Sequence, residues 1–169
     1  NLSSKEKILF SKKKPWGLIL FKRNIKSIVQ ITDLIKKIRK LTKDPKFPIM
    51  VDEEGKNVSR LSEIINHNLS QKIFGDIYKS NSKACVFLYK NYIDILTKIL
   101  KKIGININTV PVIDVLRNNT SKIIGERSFS NDPNIVKKLG AMCVKFYNKN
   151  RIATVIKHIP GHGCAKLDS

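Results

Sequence analysis

Acidic residues are scarce in this sequence: 13 Asp and Glu stand against 33 Lys and Arg in 169 residues, a formal net charge of +20 at pH 7. Such an imbalance raises nucleic-acid binding as a function. Arginine is scarce too, however. Of the 33 basic residues 27 are Lys, scattered as singles and pairs apart from Lys12-Lys13-Lys14, and Arg-rich stripes with interleaved aromatics are absent. Ile and Asn are abundant and, like Lys, have AT-rich codons, so base composition is the plainer source of the charge. A basic nucleic-acid-associated domain stays as an alternative reading, and no nucleic-acid partner is expected.

Cysteine is equally sparse. Cys85, Cys143 and Cys164 are odd in number and widely spaced, which signals neither a disulfide framework nor a zinc site and fits a reducing cytoplasm. Cys85 and Cys143 fall in helical patterns and are expected in the core; Cys164 falls in a loop with no evident base partner. No apolar run approaches the roughly 18 residues of a membrane span, and the N-terminus has no signal-peptide core, so no membrane partner is expected. Linkers and repeats are also missing, which leaves one domain or part of one. A start at Asn1 rather than Met suggests a piece of something longer.

What is present is a rhythm. Residues 2–14 predict a helix that Ser3 or Ser4 could cap, stopped by Pro15. Trp16 to Phe21 is a continuous apolar run of the kind seen in strands buried on both faces. Ile28, Ile31, Leu34, Ile35, Ile38 and Leu41 give an amphipathic helix from Ile25 to Leu41. Phe47 to Val51 is the second strand. Residues 58–82 are less regular, with short helical turns expected around Leu61 to Ile65 and Gln71 to Tyr78. A long helix follows from Lys83 to Ile103, capped by Gly104, then a strand at Ile105 to Val110, a polar loop, a helix from Asn134 to Asn148 and a strand at Ile152 to Ile156. Alternating strands and helices imply an α/β fold with parallel crossovers.

Polar clusters follow the strand-like runs: Lys22-Arg23-Asn24, Asp52 to Arg60, Asp114 to Arg127, and Lys157 to Asp168. In a parallel sheet these positions share one edge and can meet around one ligand. Taken singly, each is an ordinary solvated loop. His158 and His162 are four apart, but Pro160 and Gly161 exclude the helix that would make this a metal-ligand spacing; no metal or other cofactor is expected. His67, in a polar stretch, is expected at the surface.

The last cluster, Lys157-His158-Ile159-Pro160-Gly161-His162-Gly163-Cys164-Ala165-Lys166-Leu167-Asp168-Ser169, resembles the K-H-F-P-G-H-G-x4-D-S-H signature of glycoside hydrolase family 3, in particular its bacterial β-N-acetylhexosaminidases acting on cell-wall muropeptides. Ile159 replaces Phe, and the final His would fall directly after Ser169. Gly17 to Asn24 is similar to the family's G-x-I-L-F-x-R-N, and Val51 to Leu61 to V-D-x-E-G-G-R-V-x-R-L, with Lys56 and Asn57 at the second Gly and the first Arg. Asn108 to Val115 and Ile124 to Phe129 resemble N-x-x-P-V-x-D-V and I-G-x-R-S-F.

The resemblance implies residues 1–169 as a partial N-terminal catalytic domain, an incomplete (β/α)8 TIM-type barrel with about four parallel strands. A full barrel takes roughly 250 residues. Bare sheet edges and apolar faces then imply self-association of this chain alone. Asp52, Arg60, Arg127, Lys157 and His158 match positions that bind N-acetylglucosamine; Arg60 and Arg127 could instead pair with Asp52, Glu53 or Glu126 to hold loops. Asp168 matches an Asp that orients the acid/base His of a retaining mechanism. That His and the nucleophilic Asp have no match within the 169 residues. The implied role is cytoplasmic, bacterial recycling of peptidoglycan fragments bearing N-acetylglucosamine, with a non-catalytic glycan-binding remnant as the alternative. Oligomeric state is not readable.

Overall fold

The computed structural model describes residues 2–118 and 120–165. Four strands, β1 (Leu18–Leu20), β2 (Ile49–Val51), β5 (Ile107–Asn108) and β6 (Ala153–Thr154), lie in that order in one wholly parallel sheet. A two-stranded antiparallel hairpin, β3 (Glu53–Gly55) and β4 (Val58–Ser59), stands directly beyond the end of β2. The parallel α/β architecture expected from the alternating pattern is present, with shorter strands than the apolar runs.

The crossovers are helical. Ser27 caps α2 (Ile28–Thr42), Asn81 caps α4 (Ser82–Ile103) and Asp132 caps α5 (Pro133–Lys149), each side chain accepting a first-turn N–H. The short α1 (Ser4–Ile8) has the Ser3–Glu6 capping box. It runs on into a π turn at Leu9–Lys13, ended by Lys14 in a left-handed conformation before Pro15. Gly104, with φ of 95°, closes α4 as a left-handed cap that only glycine adopts freely. The helical turn expected at Gln71 to Tyr78 is part of a full helix, α3 (Gln71–Ser80), and the β3–β4 hairpin that precedes it is not among the expected elements.

Period-two burial along the strands puts Leu20, Ile49 and Val51 against the helices, which answer with Ile31, Ile35 and Ile38 of α2, Tyr89, Ile93 and Leu100 of α4 and Leu139, Cys143 and Tyr147 of α5. The opposite face is different. Ile19 is 37% exposed, paired in register with the half-buried Met50, and Trp16, Phe21, Val155 and Ile156 are exposed as well. The run from Trp16 to Phe21 is therefore well buried on one face only, and among the described residues no helix covers the other.

Candidate functional site

The site grows from the C-terminal ends of the parallel strands. Asp52 directly follows β2, Thr109 directly follows β5, and Lys157 lies beyond β6 in a parallel bridge with Val112. The Ile113 N–H donates to the Lys157 carbonyl at 2.7 Å and the Lys157 N–H to the Pro111 carbonyl at 3.1 Å, so the Asp114 and Lys157 loops leave the sheet side by side. Arg127 arrives on a 3-10 turn, Gly125–Arg127, whose carbonyl end is held by Gln71 Nε2 of α3 at 2.6 Å.

These segments assemble a line of alternating charges. Arg60 Nη2 lies 3.6 Å from Asp52 Oδ2. Asp52 Oδ1 accepts from Lys157 Nζ at 3.1 Å and from the Thr109 hydroxyl. The Lys157 ammonium also reaches Glu54 Oε1 at 2.6 Å and Thr109 Oγ1 at 2.8 Å. Glu54 in turn takes both arms of Arg127, Nε at 2.8 Å and Nη2 at 3.1 Å, the bidentate fit that only a guanidinium offers. Arg127 Nη2 stands 3.4 Å from His158 Nε2, and His158 Nδ1 lies 2.6 Å from Asp114 Oδ2. Because a guanidinium can only donate, His158 presents an acceptor at Nε2 and its proton at Nδ1. The other Asp114 oxygen accepts the His162 backbone N–H.

Exposure sorts the members. The side chains of Asp52, Arg60, Lys157 and His158 are 17%, 32%, 15% and 29% exposed, open to a ligand, whereas those of Glu54 and Asp114 are 2% and 0% exposed and hold the cations in place from below. Burial opposes ionisation of Asp52, yet the Thr109 hydrogen bond and the charges of Lys157 and Arg60 outweigh it and lower its pKa. For Arg127 burial works against the charge, and the hydrogen bonds and charge of Glu54 override it, raising its pKa. A carboxylate, an ammonium, a guanidinium and an imidazole side by side and partly exposed supply acceptors and donors for a polar ligand rich in hydroxyl and amide groups. Among the described residues no group of three or more His, Cys, Asp and Glu gathers as a metal site; His158 and His162 meet edge to face with centroids 5.3 Å apart.

The structure thus brings Asp52, Arg60, Arg127, Lys157 and His158 together; Asp168 lies outside the described residues. The loop-holding alternative for the arginines is also realised, with Glu54 rather than Glu53 or Glu126 as the partner of Arg127. Glu54, Thr109 and Asp114 carry the site although sequence reasoning gave them no role; each sits one or two places from a residue that drew attention. Of the Lys22 to Asn24 cluster, Lys22 pairs with Glu63 at 3.4 Å, and Arg23 lies over the Phe21 ring, which Arg60 of the site also overlies. Lys56 turns outward to Glu126 at 3.4 Å, and it is Gly55 that takes the positive φ of 131°. His67 is not a surface residue: its side chain is 14% exposed and faces Glu53. Cys85 and Cys143 are buried as expected, burial pushing the Cys143 thiol up to about 12.

Comparison with known proteins adds an independent line. The family model of the glycosyl hydrolase family 3 N terminal domain matches residues 1–169. A beta-hexosaminidase of Hydrogenovibrio crunogenus is 35% identical over 153 residues, 90% of this chain and 42% of the relative. One of Stenotrophomonas maltophilia is 32% identical over 90% of this chain and 45% of its own length. The chain therefore spans less than half of these relatives. Among solved structures, NagZ from Neisseria gonorrhoeae in complex with N-trifluoroacetyl-D-glucosamine superposes with a TM-score of 0.87 at 31% identity, covering 99% of this chain and 49% of that one. A beta-N-acetylglucosaminidase of Paenibacillus, also of glycoside hydrolase family 3, gives a TM-score of 0.83 at 26% identity, over 99% of this chain and 31% of that one.

Proposed function

The chain belongs to glycoside hydrolase family 3, and from that premise we propose that it provides the N-acetylglucosamine-binding half of a β-N-acetylhexosaminidase site. The observation that carries this reading is the position of Asp52. It is held between Lys157, Thr109 and Arg60 and is still open to a ligand. An ionised carboxylate so placed accepts two sugar hydroxyls, Arg60 and Lys157 donate to hydroxyl or acetamido oxygens, and His158 offers Nε2 as an acceptor. Arg127, locked to Glu54, completes the wall.

The reaction proposed for the complete site is retaining hydrolysis, in which a carboxylate attacks the anomeric carbon, an acid protonates the departing oxygen, and water releases the covalent sugar. The residues described here do the positioning: they fix the sugar ring and keep its hydroxyls engaged as the ring distorts. The family's nucleophile and acid/base have no match among these 169 residues, and Asp168 matches the group that orients the acid/base. The substrates are peptidoglycan fragments ending in N-acetylglucosamine, processed in a bacterial cytoplasm during wall recycling. The beta-hexosaminidase relatives and the neighbour bound to an N-acylated glucosamine support this class of ligand.

The test pairs the 169-residue chain with the same chain extended by its native downstream coding sequence, both offered a chromogenic N-acetyl-β-glucosaminide. Hydrolysis by the extended form alone is expected. Hydrolysis by neither, with N-acetylglucosamine binding retained in calorimetry, turns the reading to a glycan-binding remnant. Hydrolysis by the short chain overturns the placement of the bond-breaking groups.

A further inference from the structure

Between Asp52 and Glu54, both in the site, stands a third carboxylate that points the other way. Glu53 is 1% exposed. Its main chain is fixed by the side chain of Asn108, which accepts the Glu53 N–H at 3.0 Å and donates to the Glu53 carbonyl at 2.9 Å. Asn108 is steadied in turn by the Tyr147 hydroxyl at 2.9 Å. A carboxylate taken this far from water is costly unless its oxygens are engaged, and where Glu53 spends that cost is informative. Oε2 accepts from the Ser59 hydroxyl at 3.0 Å and from the Leu61 N–H at 2.9 Å. These two residues flank Arg60.

Arg60 needs such help. It follows β4 immediately, where the two-residue strand has ended, so no ladder fixes its backbone. Its guanidinium lies over Phe21 at 5.8 Å and reaches Asp52 only at 3.6 Å, and its Nε is buried with no hydrogen-bond partner. The direction of the side chain therefore depends on the backbone at residues 59–61. The second carboxylate oxygen, Oε1, makes no hydrogen bond and faces His67 Nε2 at 3.4 Å, whose ring packs edge to face on Tyr92 at 5.5 Å. His67 thus closes the rear of the carboxylate pocket.

We propose that Glu53 is a positioning residue for Arg60: one buried oxygen grips the chain on both sides of the arginine and aims its guanidinium at the ligand held by Asp52. Glu53 touches no ligand itself. The role deepens the sugar-binding reading and rests on it for its functional consequence, but the aiming of Arg60 is a property of the free protein.

Two readouts test it on the 169-residue chain. The first needs no ligand: the Nε–Hε signal of the Arg60 guanidinium in NMR, compared between the native chain, Glu53→Ala and Ser59→Ala, with Glu53→Gln as the isosteric rescue. An ordered native signal that becomes mobile in Glu53→Ala and Ser59→Ala and is restored in Glu53→Gln is expected. The second is N-acetylglucosamine affinity in a cycle with Arg60→Ala. Losing the grip weakens binding roughly tenfold in the native background, the worth of a hydrogen bond or two, and not at all once Arg60 is gone. Ser59→Ala keeps the buried carboxylate and its Leu61 partner, so the test survives if Glu53→Ala does not fold. An unchanged Arg60 signal, or equal losses with and without Arg60, overturns the proposal. A native chain that ignores the sugar sinks the sugar-binding reading alone, and the guanidinium signal still decides whether Glu53 aims Arg60.

Discussion

Asp52 is a carboxylate whose ionised form the fold favours, and that preference has a measurable cost in acid. Its folded pKa lies below the value of an unfolded Asp, so it contributes stability that is present above about pH 4 and lost as pH falls through the lowered folded value. Asp52→Asn is expected to flatten part of the acid limb of a stability-against-pH curve, read by chemical denaturation from pH 6 downward. An unchanged limb would mean that Asp52 titrates as a free side chain. The same substitution should weaken N-acetylglucosamine binding by roughly ten- to a hundredfold, the range for hydrogen bonds to a charged group, while Lys157 keeps Glu54 at 2.6 Å and the site does not collapse. At this scale the site was half legible. Asp52, Lys157 and His158 announce themselves as polar groups beyond strands within a specific motif. Glu54 and Asp114 stand in the same clusters and motifs, but their role as holders of the cations was not readable, because it depends on pairing with Arg127, 73 residues away from Glu54, and with His158, 44 residues from Asp114.

At the scale of the element, α3 is a lever on the site. Gly75 lies against the Phe129 backbone so closely that a Cβ would overlap the Phe129 carbonyl, and one turn earlier Gln71 holds the carbonyl of Arg127. Alanine ordinarily favours a helix interior by up to about 1 kcal/mol over glycine. Here the overlap wins, and Gly75→Ala is expected to cost about 1–3 kcal/mol, as overpacking does, and to displace the Arg127 turn. A thermal melt and the sugar affinity should therefore fall together; a raised melting temperature would show the loop yielding instead. The three long helices were readable because their apolar residues recur at helical spacing and their caps are conventional, Asn81 and Gly104 for α4. In α3 the glycine that permits the close approach also weakens the helical signal, so the segment reads as a short helical turn rather than a full helix. The β3–β4 hairpin escaped for another reason: Glu53 to Gly55 is wholly buried yet mostly charged, the reverse of a strand pattern.

The molecule as a whole sets charge against apolar surface. Both edge strands of the sheet and the loops beyond them leave large side chains in water: Ile19 and Phe21 at β1, Val155, Ile156 and Ile159 at β6. A net charge of +20 keeps copies apart while its field extends. Screening shortens that field from about 30 Å in 0.01 M salt to about 3 Å in 1 M, and the apolar faces are then free to meet. The apparent mass of the 169-residue chain in size-exclusion chromatography is expected to rise with ionic strength, and a cooperatively melting monomer at every salt concentration would refute the idea. The chain also carries its own indicator for that experiment. Its single tryptophan, Trp16, stands 75% exposed just ahead of edge strand β1. Its ultraviolet emission reports on water contact at this edge, so a blue shift on covering the edge would turn an assembly question into one answerable by a fluorimeter at micromolar concentration, with no label attached.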